Sequence, residues 1–533
     1  MNANTVLQPI LVGDRWVQAE APSGAFHAFN PSTRQALAGR EYPLSGWSDL
    51  DAMLDAGQRA ATGMAQLSAE TIARFLEGYA GAIEARADAL VETAHRETGL
   101  PVEPRLRNAE LPRTTNQLRQ AARAARDGGW SRPTIDTAAN LRSMHGPLGG
   151  PVLVFGPNNF PFAFNGISGG DFAAAIAAGN PVIAKAHPAH PQTSVLLAGA
   201  ALESAKATGL PPGAVQMFFG TESALGLRLA ADPRVAAVAF TGGRPAGMKL
   251  KAAADAVGKP IYLEMSSVNP VFVLPGALRE RGDAIAAELH GSCAMGAGQM
   301  CTKPGVTVLS ASEDAERFIA GLRSLTAAAA PGVLLSPQAP RDIAATVAAL
   351  QAAGAELLAG GAIADDAQGF AFQPTLLRVS GDRFLANPAA LQSEAFGHVN
   401  LVVVAGNRAQ VQDIAKALEG NLTGAIYSDT GGSDDAAYTL LAPILRTRVG
   451  RLLNDRMPTG VAVSAAMNHG GPFPATGHPL FTAVGFPASV ARFSALHSYD
   501  NVRAHRLPAL LQDRNPTGSL LRLVDGEWTT RDV

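Results

Sequence analysis

Cysteine is nearly absent: the 533-residue chain has two, Cys293 and Cys301, eight residues apart. Such a pair builds no disulfide framework and no Cys-x-x-Cys metal clip, so a reducing compartment is expected. An excess of charge of either sign is also missing. Lys and Arg number 43 against 45 Asp and Glu, for a net charge of −2. That balance removes the electrostatic reason to expect nucleic acid or an anionic membrane as partner. No apolar run reaches the ~18 residues a membrane-spanning helix needs. The opening MNANTVLQPILVGDRW has neither a basic stretch nor a signal-peptide core, which makes the cytoplasm the expected location. No repeat with a period of about 20–50 residues occurs. G-x-G-x-x-G, G-x-x-x-x-G-K-[ST] and H-E-x-x-H are all missing.

What is present describes a globular protein, with 47% hydrophobic and 17% charged residues. Its length calls for two or three domains. Residues 68–126 read as helices, and ETIARFLEGYAGAIEARADALVETAHRETG ends in a capping Gly99 before Pro101. The pattern then changes to short apolar runs alternating with helical segments. PVLVFG, DFAAAIAAG, PVIAKA, a helix over 191–208, AVQMFFG, a helix over 222–231 and VAAVAFTGG predict parallel strands covered by helices. After Glu264 the alternation restarts with PVFVLP, a helix over 279–295, GVTVLS, a helix from 312, LVVVAG, a helix from 407 and LTGAIYS. HGGPFPATGHP reads as loop. The residues from Asn501 read as a polar tail outside the core.

Several residues are candidates for chemistry. Cys301, in GAGQMCTKPG, follows glycines and precedes Thr302 and Lys303, where open backbone N–H groups and a cation favour the thiolate. Its alternative is a small buried hydrophobe, the reading that suits Cys293. His290 and Cys293 together are two ligands and do not make a metal site, so no metal is expected. Asn158 and Asn159 follow a strand, where ligands of open α/β sheets bind; an amide there can steady an oxyanion, or simply form a turn before Pro161. Glu264 ends the strand-like KPIYLEM, as a general base among apolar neighbours or as a solvent-facing glutamate on an edge strand. FTGGRPAG joins a strand to a helix, where Thr241, Gly242 and Gly243 would admit a phosphate group. Gly166-Ile167-Ser168-Gly169-Gly170 matches the hydrolase G-x-S-x-G, but no strand immediately precedes it, and Ser168 is expected to cap a helix instead.

Taken together and in order, these segments resemble the aldehyde dehydrogenase superfamily over residues 10–500. PNNFP, PVIAK, FTGG, LEMSSVNP, GQMCTKPG and Glu394-Ala395-Phe396-Gly397 carry the likeness. KAHPAHPQTS, ELPRTTNQLR, SSVNPVFVLPGAL and PTGVAVSAAMNHGGPFPAT are similar to its α-ketoglutaric semialdehyde branch. The resemblance implies an α/β fold with three parts. These are a Rossmann-type dinucleotide-binding domain (1–126 and 151–263), an α/β catalytic domain (264–474), and a small β oligomerisation extension with the C-terminal tail (127–150 and 475–533).

It further implies NAD(P)-dependent oxidation of an aldehyde through a Cys301 thiohemiacetal and thioester. Asn159 would hold the oxyanion and Glu264 would activate water. The cofactor would rest on Phe155, Gly156, Pro157, Lys185, Thr241, Gly242, Gly243, Glu394 and Phe396. Lys185 is followed by Ala186-His187-Pro188 without the glutamate that NAD-preferring relatives carry, so NADP is the expected cofactor, with NAD the alternative. A short ω-carboxylated semialdehyde is the expected substrate, between apolar walls from Phe160, Ala163, Phe164 and Ile167. Arg113, and less so Arg119, would meet its carboxylate. The alternatives are an aliphatic or aromatic aldehyde, a CoA-acylating dehydrogenase, a serine hydrolase using Ser168, and a non-catalytic binding protein. A homodimer or homotetramer is expected.

Overall fold

A computed structural model describes residues 5–533. Two seven-stranded sheets organise the chain. In the first, five parallel strands lie in the order Ile261–Glu264, Ala237–Thr241, Val152–Phe155, Val182–Lys185 and Val215–Phe218. The antiparallel hairpin Ile10–Val12 and Arg15–Val17 extends one edge. Parallel strands covered on both faces lack the alternation of a half-exposed strand, which is why VLVF and VIAK are continuous apolar runs. The helix Gly170–Ala177 is buried along its whole length, as its GDFAAAIA sequence requires. Helices from Trp47 to Asp127 share this sheet's core. One of them ends at Gly99 in the left-handed conformation (φ 67°), the capping expected from sequence.

The second sheet runs Glu356–Ala359, Thr375–Ser380, Val399–Ala405, Val306–Ser310, Val271–Val273, Asn421–Tyr427 and Val449–Asn454. All of its neighbouring pairs are parallel except the first. Glu264 closes the edge strand of the first sheet, and Val271 opens a central strand of the second. The chain therefore crosses between sheets within a few residues of Glu264. Among the described residues no helix is long and apolar enough to cross a membrane.

The C-terminal stretch departs from expectation. Its residues are not a tail outside the core: Arg522–Val524 and Glu527–Thr529 join Thr134–Asp136, Leu141–Pro147 and Ser494–Asp500 in a five-stranded sheet. Leu507 and Leu511 pack with Ile135 beneath it. The anchor is Arg522, fully buried, whose guanidinium donates to the carbonyls of Gln512, Asp513 and Arg531. A polar sequence reads as tail because burial of an arginine that satisfies backbone carbonyls leaves no hydrophobic pattern. Replacing Arg522 by Ala removes three hydrogen bonds and a fully buried side chain, and should lower the melting temperature by about 5 °C or more in a thermal scan. An unchanged transition would show that the segment merely rests on the sheet.

Candidate active site

In the first sheet, the strand order reverses between Val152–Phe155 and Ala237–Thr241. The crevice outside the carboxyl ends at such a reversal is where open α/β sheets bind ligands. A cavity of about 330 Å³ opens there, lined by Pro157, Asn158 and Asn159 from one strand end and Thr241, Gly242 and Gly243 from the other. Glu264, Cys301, His187, Glu394 and Phe396 complete it. Gly156 allows the turn: a Cβ there would lie 2.5 Å from the carbonyl oxygen of Phe164. Phe155, Gly156 and Lys185 do not line this cavity, and Phe155 and Lys185 are in register on neighbouring strands.

The cavity fits a nucleotide. Gly243 precedes the helix Arg244–Asp255, and a Cβ on it would meet nothing nearer than Pro245 at 3.9 Å, so the helix N-terminus stands open to an anion. Lys185, at the end of its strand and outside the lining, has its ammonium pulled down to about 8 by burial. Burial pushes the Glu394 carboxyl up to about 7 against the pull of the Lys303 charge.

Cys301 follows a tight turn in which Gly296, Ala297 and Gly298 all have positive φ. Gly298 is required: a Cβ would come within 2.3 Å of Gly397. Asn269 holds the cysteine loop from below. Its buried amide donates to the carbonyls of Cys301 at 2.8 Å and Lys303 at 3.0 Å. Its oxygen accepts from Ser267 and Thr423, and its backbone sits at φ 45°. Asn269, braced by Ser267, thus fixes the cysteine loop, a role its sequence did not disclose.

The Cys301 sulfur also lines a second cavity, of about 190 Å³, on the other side. Its walls are mostly apolar, with Phe160, Phe164, Met295, Met300 and Val461, and it holds Arg105 and Arg113. The Arg105 guanidinium pairs with Glu110, whose other oxygen accepts from the amides of Phe162 and Ala163 and so pins the chain after Asn159. Arg113 has no carboxylate within ion-pair distance among the described residues. It donates to Gln117 and to the Val461 carbonyl, and its Nη2 is buried without a partner.

Four expectations change. Ile167 does not line the cavity: it is fully buried in the core, its carbonyl accepting from Tyr79, and Ala163 is likewise internal. Arg119 lies away from the site and forms a two-pronged pair with Glu84. Ser168 caps no helix. Gly169 is the N-cap residue, and the Ser168 hydroxyl donates to the Phe162 carbonyl at 2.7 Å. Lys303 is not the cation for the thiolate, because its ammonium turns away to the carbonyls of Ala395 and Val399.

Cys293 is a packed thiol donating to Pro304 O, pushed up to about 12 by burial. The Asn159 amide is buried beside the thiol loop and donates to the Gln299 carbonyl at 2.9 Å, which leaves its second hydrogen for another acceptor. Glu264 faces the site and not solvent, 2% exposed, and its Oε2 has no partner. One residue of the site escaped sequence reading altogether. His469, 1% exposed in the HGGPF loop, places Nε2 3.0 Å from Glu264 Oε1 and 3.4 Å from Cys301 Sγ. Only the chain's folding brings these together, across 205 and 168 residues.

A buried carboxylate, a thiol and a histidine between two cavities, one fitting a nucleotide and the other a small apolar molecule, suit covalent attack on a carbonyl followed by attack of water. Known proteins resemble this chain in sequence and in fold. A sequence model described as "Aldehyde dehydrogenase family" matches residues 16–444. The chain is 39% identical to alpha-ketoglutaric semialdehyde dehydrogenase 2 of Azospirillum brasilense, over 97% of this chain and 99% of that one. It is 36% identical to alpha-ketoglutaric semialdehyde dehydrogenase of Acinetobacter baylyi, over 94% and 97%. Its fold matches the crystal structure of lactaldehyde dehydrogenase from Escherichia coli with a TM-score of 0.79, at 22% identity, over 93% of this chain and 99% of that one.

Proposed function

The chain belongs to the aldehyde dehydrogenase family, and on that premise we propose that it oxidises a short ω-carboxylated semialdehyde, with α-ketoglutaric semialdehyde the leading candidate and NADP the preferred cofactor. The carrying observation is the position of Cys301, on the wall between a nucleotide-sized crevice and a small apolar cavity that holds an arginine with an unpaired charge.

The Cys301 thiolate attacks the aldehyde carbon, and the carbonyl oxygen becomes an alkoxide. The free Asn159 amide hydrogen and the Cys301 backbone N–H receive that charge, in a site where fixed dipoles need no reorganisation. Bound in the larger crevice, the nicotinamide cofactor supplies the hydride acceptor that turns this adduct into a thioester. Thr241, Gly242 and Gly243 with the helix N-terminus would take its pyrophosphate, Lys185 the adenosine ribose and Glu394 the nicotinamide ribose, with Phe396 beside the ring. Glu264 then removes a proton from water, which attacks the thioester and frees Cys301. Its unpartnered Oε2 is available for that water. A carboxylate kept in this position supports water, and not CoA, as the acyl acceptor.

Substrate choice follows from the smaller cavity. Phe160 and Phe164 offer surfaces for methylenes, and the Arg113 guanidinium lies 5.3 Å over the Phe164 ring. Burial lowers the affinity of Arg113 for its proton, the largest influence on it, so a carboxylate arriving there would be welcome. For the cofactor, Pro188 occupies the sequence position at which NAD-preferring relatives carry a glutamate, and without that carboxylate nothing there would repel a 2′-phosphate. Assembly would run through the five-stranded sheet, whose edge strands expose Leu496 and Trp528.

Arg113→Ala should raise KM for α-ketoglutaric semialdehyde by about 10- to 100-fold, the loss of a charged hydrogen bond, and leave pentanal turnover nearly unchanged. Equal losses on both aldehydes would assign Arg113 to the fold, and a wild-type preference for long-chain or aromatic aldehydes would overturn the substrate class. Direct titration of the unmodified protein should give a lower Kd for NADP than for NAD; the reverse order would remove the cofactor proposal.

A further inference from the structure

The reaction proposed above starts from a thiolate, yet the surroundings of Cys301 oppose its formation. Burial holds the thiol well above its ordinary range, and the charges of Glu264 and Glu394 push in the same direction. Lys303, the adjacent cation in sequence, is committed to two carbonyls elsewhere. Arg113 lies in the same cavity and favours the anion, but a guanidinium cannot accept the thiol proton. Glu264 also lies within reach of the thiol, but its interaction holds the proton on sulfur, whereas His469 Nε2 lies 3.4 Å from Sγ and can take that proton and become a cation.

We propose that His469 is a further catalytic residue: its Nε2 takes the proton of the Cys301 thiol, and the resulting imidazolium lies between the thiolate and the Glu264 carboxylate. The geometry favours this charge state. One nitrogen faces both partners, so a bare Nε2 that accepts the thiol hydrogen also turns its lone pair on the carboxylate 3.0 Å away. Once protonated, the same nitrogen carries a single N–H forked between two anions, and both contacts are satisfied. The S–H bond breaks, its electron pair stays on sulfur, and the proton resides on Nε2. No oxidant or further reactant enters.

The imidazolium also answers a problem of charge. Ligand atoms of Glu264, Cys301 and His469 lie within 4.8 Å of one another. Two anions that close in a site this buried repel strongly unless a cation separates them. The groups facing the imidazole are Glu264 from the edge strand of the first sheet, Cys301 from its loop, and Arg113 from the helix Leu111–Asp127. Arg105 and Glu110 face the same cavity as a pair, Arg451 adds a more distant positive charge on Cys301, and the Phe164 ring lies 5.8 Å away. None of these can both accept the thiol proton and remain as a cation beside Glu264.

The inference rests on Cys301 as nucleophile, and its test reads the thiol whether or not the protein oxidises aldehydes. Iodoacetamide alkylation of the full chain is followed from pH 5 to 10, with Cys301→Ala giving the background. Wild type should alkylate with a midpoint below the ~8.5 of an ordinary thiol. His469→Gln keeps a donor for Glu264 and His469→Phe keeps the ring's volume, but neither can take a proton. Both should move the midpoint upward by one unit or more, so that alkylation at pH 7 falls at least about 10-fold. Their kcat/KM at pH 7 should fall about 100-fold and recover toward wild type near pH 9.5, as hydroxide ionises the thiol, with cofactor binding and melting temperature retained. Alkylation profiles that superimpose on wild type in both variants would overturn the proposal. Loss of aldehyde oxidation by Cys301→Ala alone would leave the proposed function standing in that case, whereas an active Cys301→Ala would remove the functional reading itself.

Discussion

A thiol and a carboxylate share one buried corner of this protein, and most of the architecture serves to hold them there. Burial pushes the thiol up, and the charges of the two groups oppose each other. They come from different sheets. Glu264 ends the edge strand of the first, and Cys301 stands on a loop before a central strand of the second. Asn269 fixes the loop by donating to the carbonyls on either side of Thr302. His469 bridges the two side chains from a third segment. The chemistry assigned to the site depends on this contact being maintained.

Glycine makes the approach possible in two places. At Gly156 the strand turns against the Phe164 carbonyl, which sets Asn159 beside the thiol loop. At Gly298 the loop comes against Gly397, next to Glu394 and Phe396 of the larger cavity. The sulfur consequently faces a nucleotide-sized space on one side and a small apolar space on the other. A covalent intermediate on sulfur can be reached from both, which suits a reaction with two partners that never need to touch the same wall.

The sheets were legible in the sequence because their strands are continuous apolar runs and their helices have punctuated ends. VLVF, VIAK and the helix closed by Gly99 occupy the places their patterns indicate. Glu264 and Asn159 stood out as polar residues at or just beyond the end of an apolar strand, and Cys301 as a cysteine set after glycines and outside any apolar run. Where side-chain direction decides, sequence was a poor guide. Lys303 adjoins Cys301 in the chain but turns to carbonyls on the far side, and Ile167 adjoins the substrate wall but faces the core. His469 gave no local signal, lying in a proline- and glycine-rich loop whose significance comes from pairings more than 160 residues away. Arg522 was hidden for a similar reason, since a buried arginine satisfied by carbonyls breaks the apolar pattern that marks a core.

The central claim is that Cys301 becomes acylated by the aldehyde and that Glu264 releases the acid. Mixing the Glu264→Gln protein with oxidised cofactor and α-ketoglutaric semialdehyde, quenching in acid and mapping the peptides by mass tests it directly. The account predicts an acyl adduct on the peptide containing Cys301, close to one per active site, formed together with a burst of reduced cofactor. A burst without an adduct on Cys301, or an adduct on another residue, would contradict it.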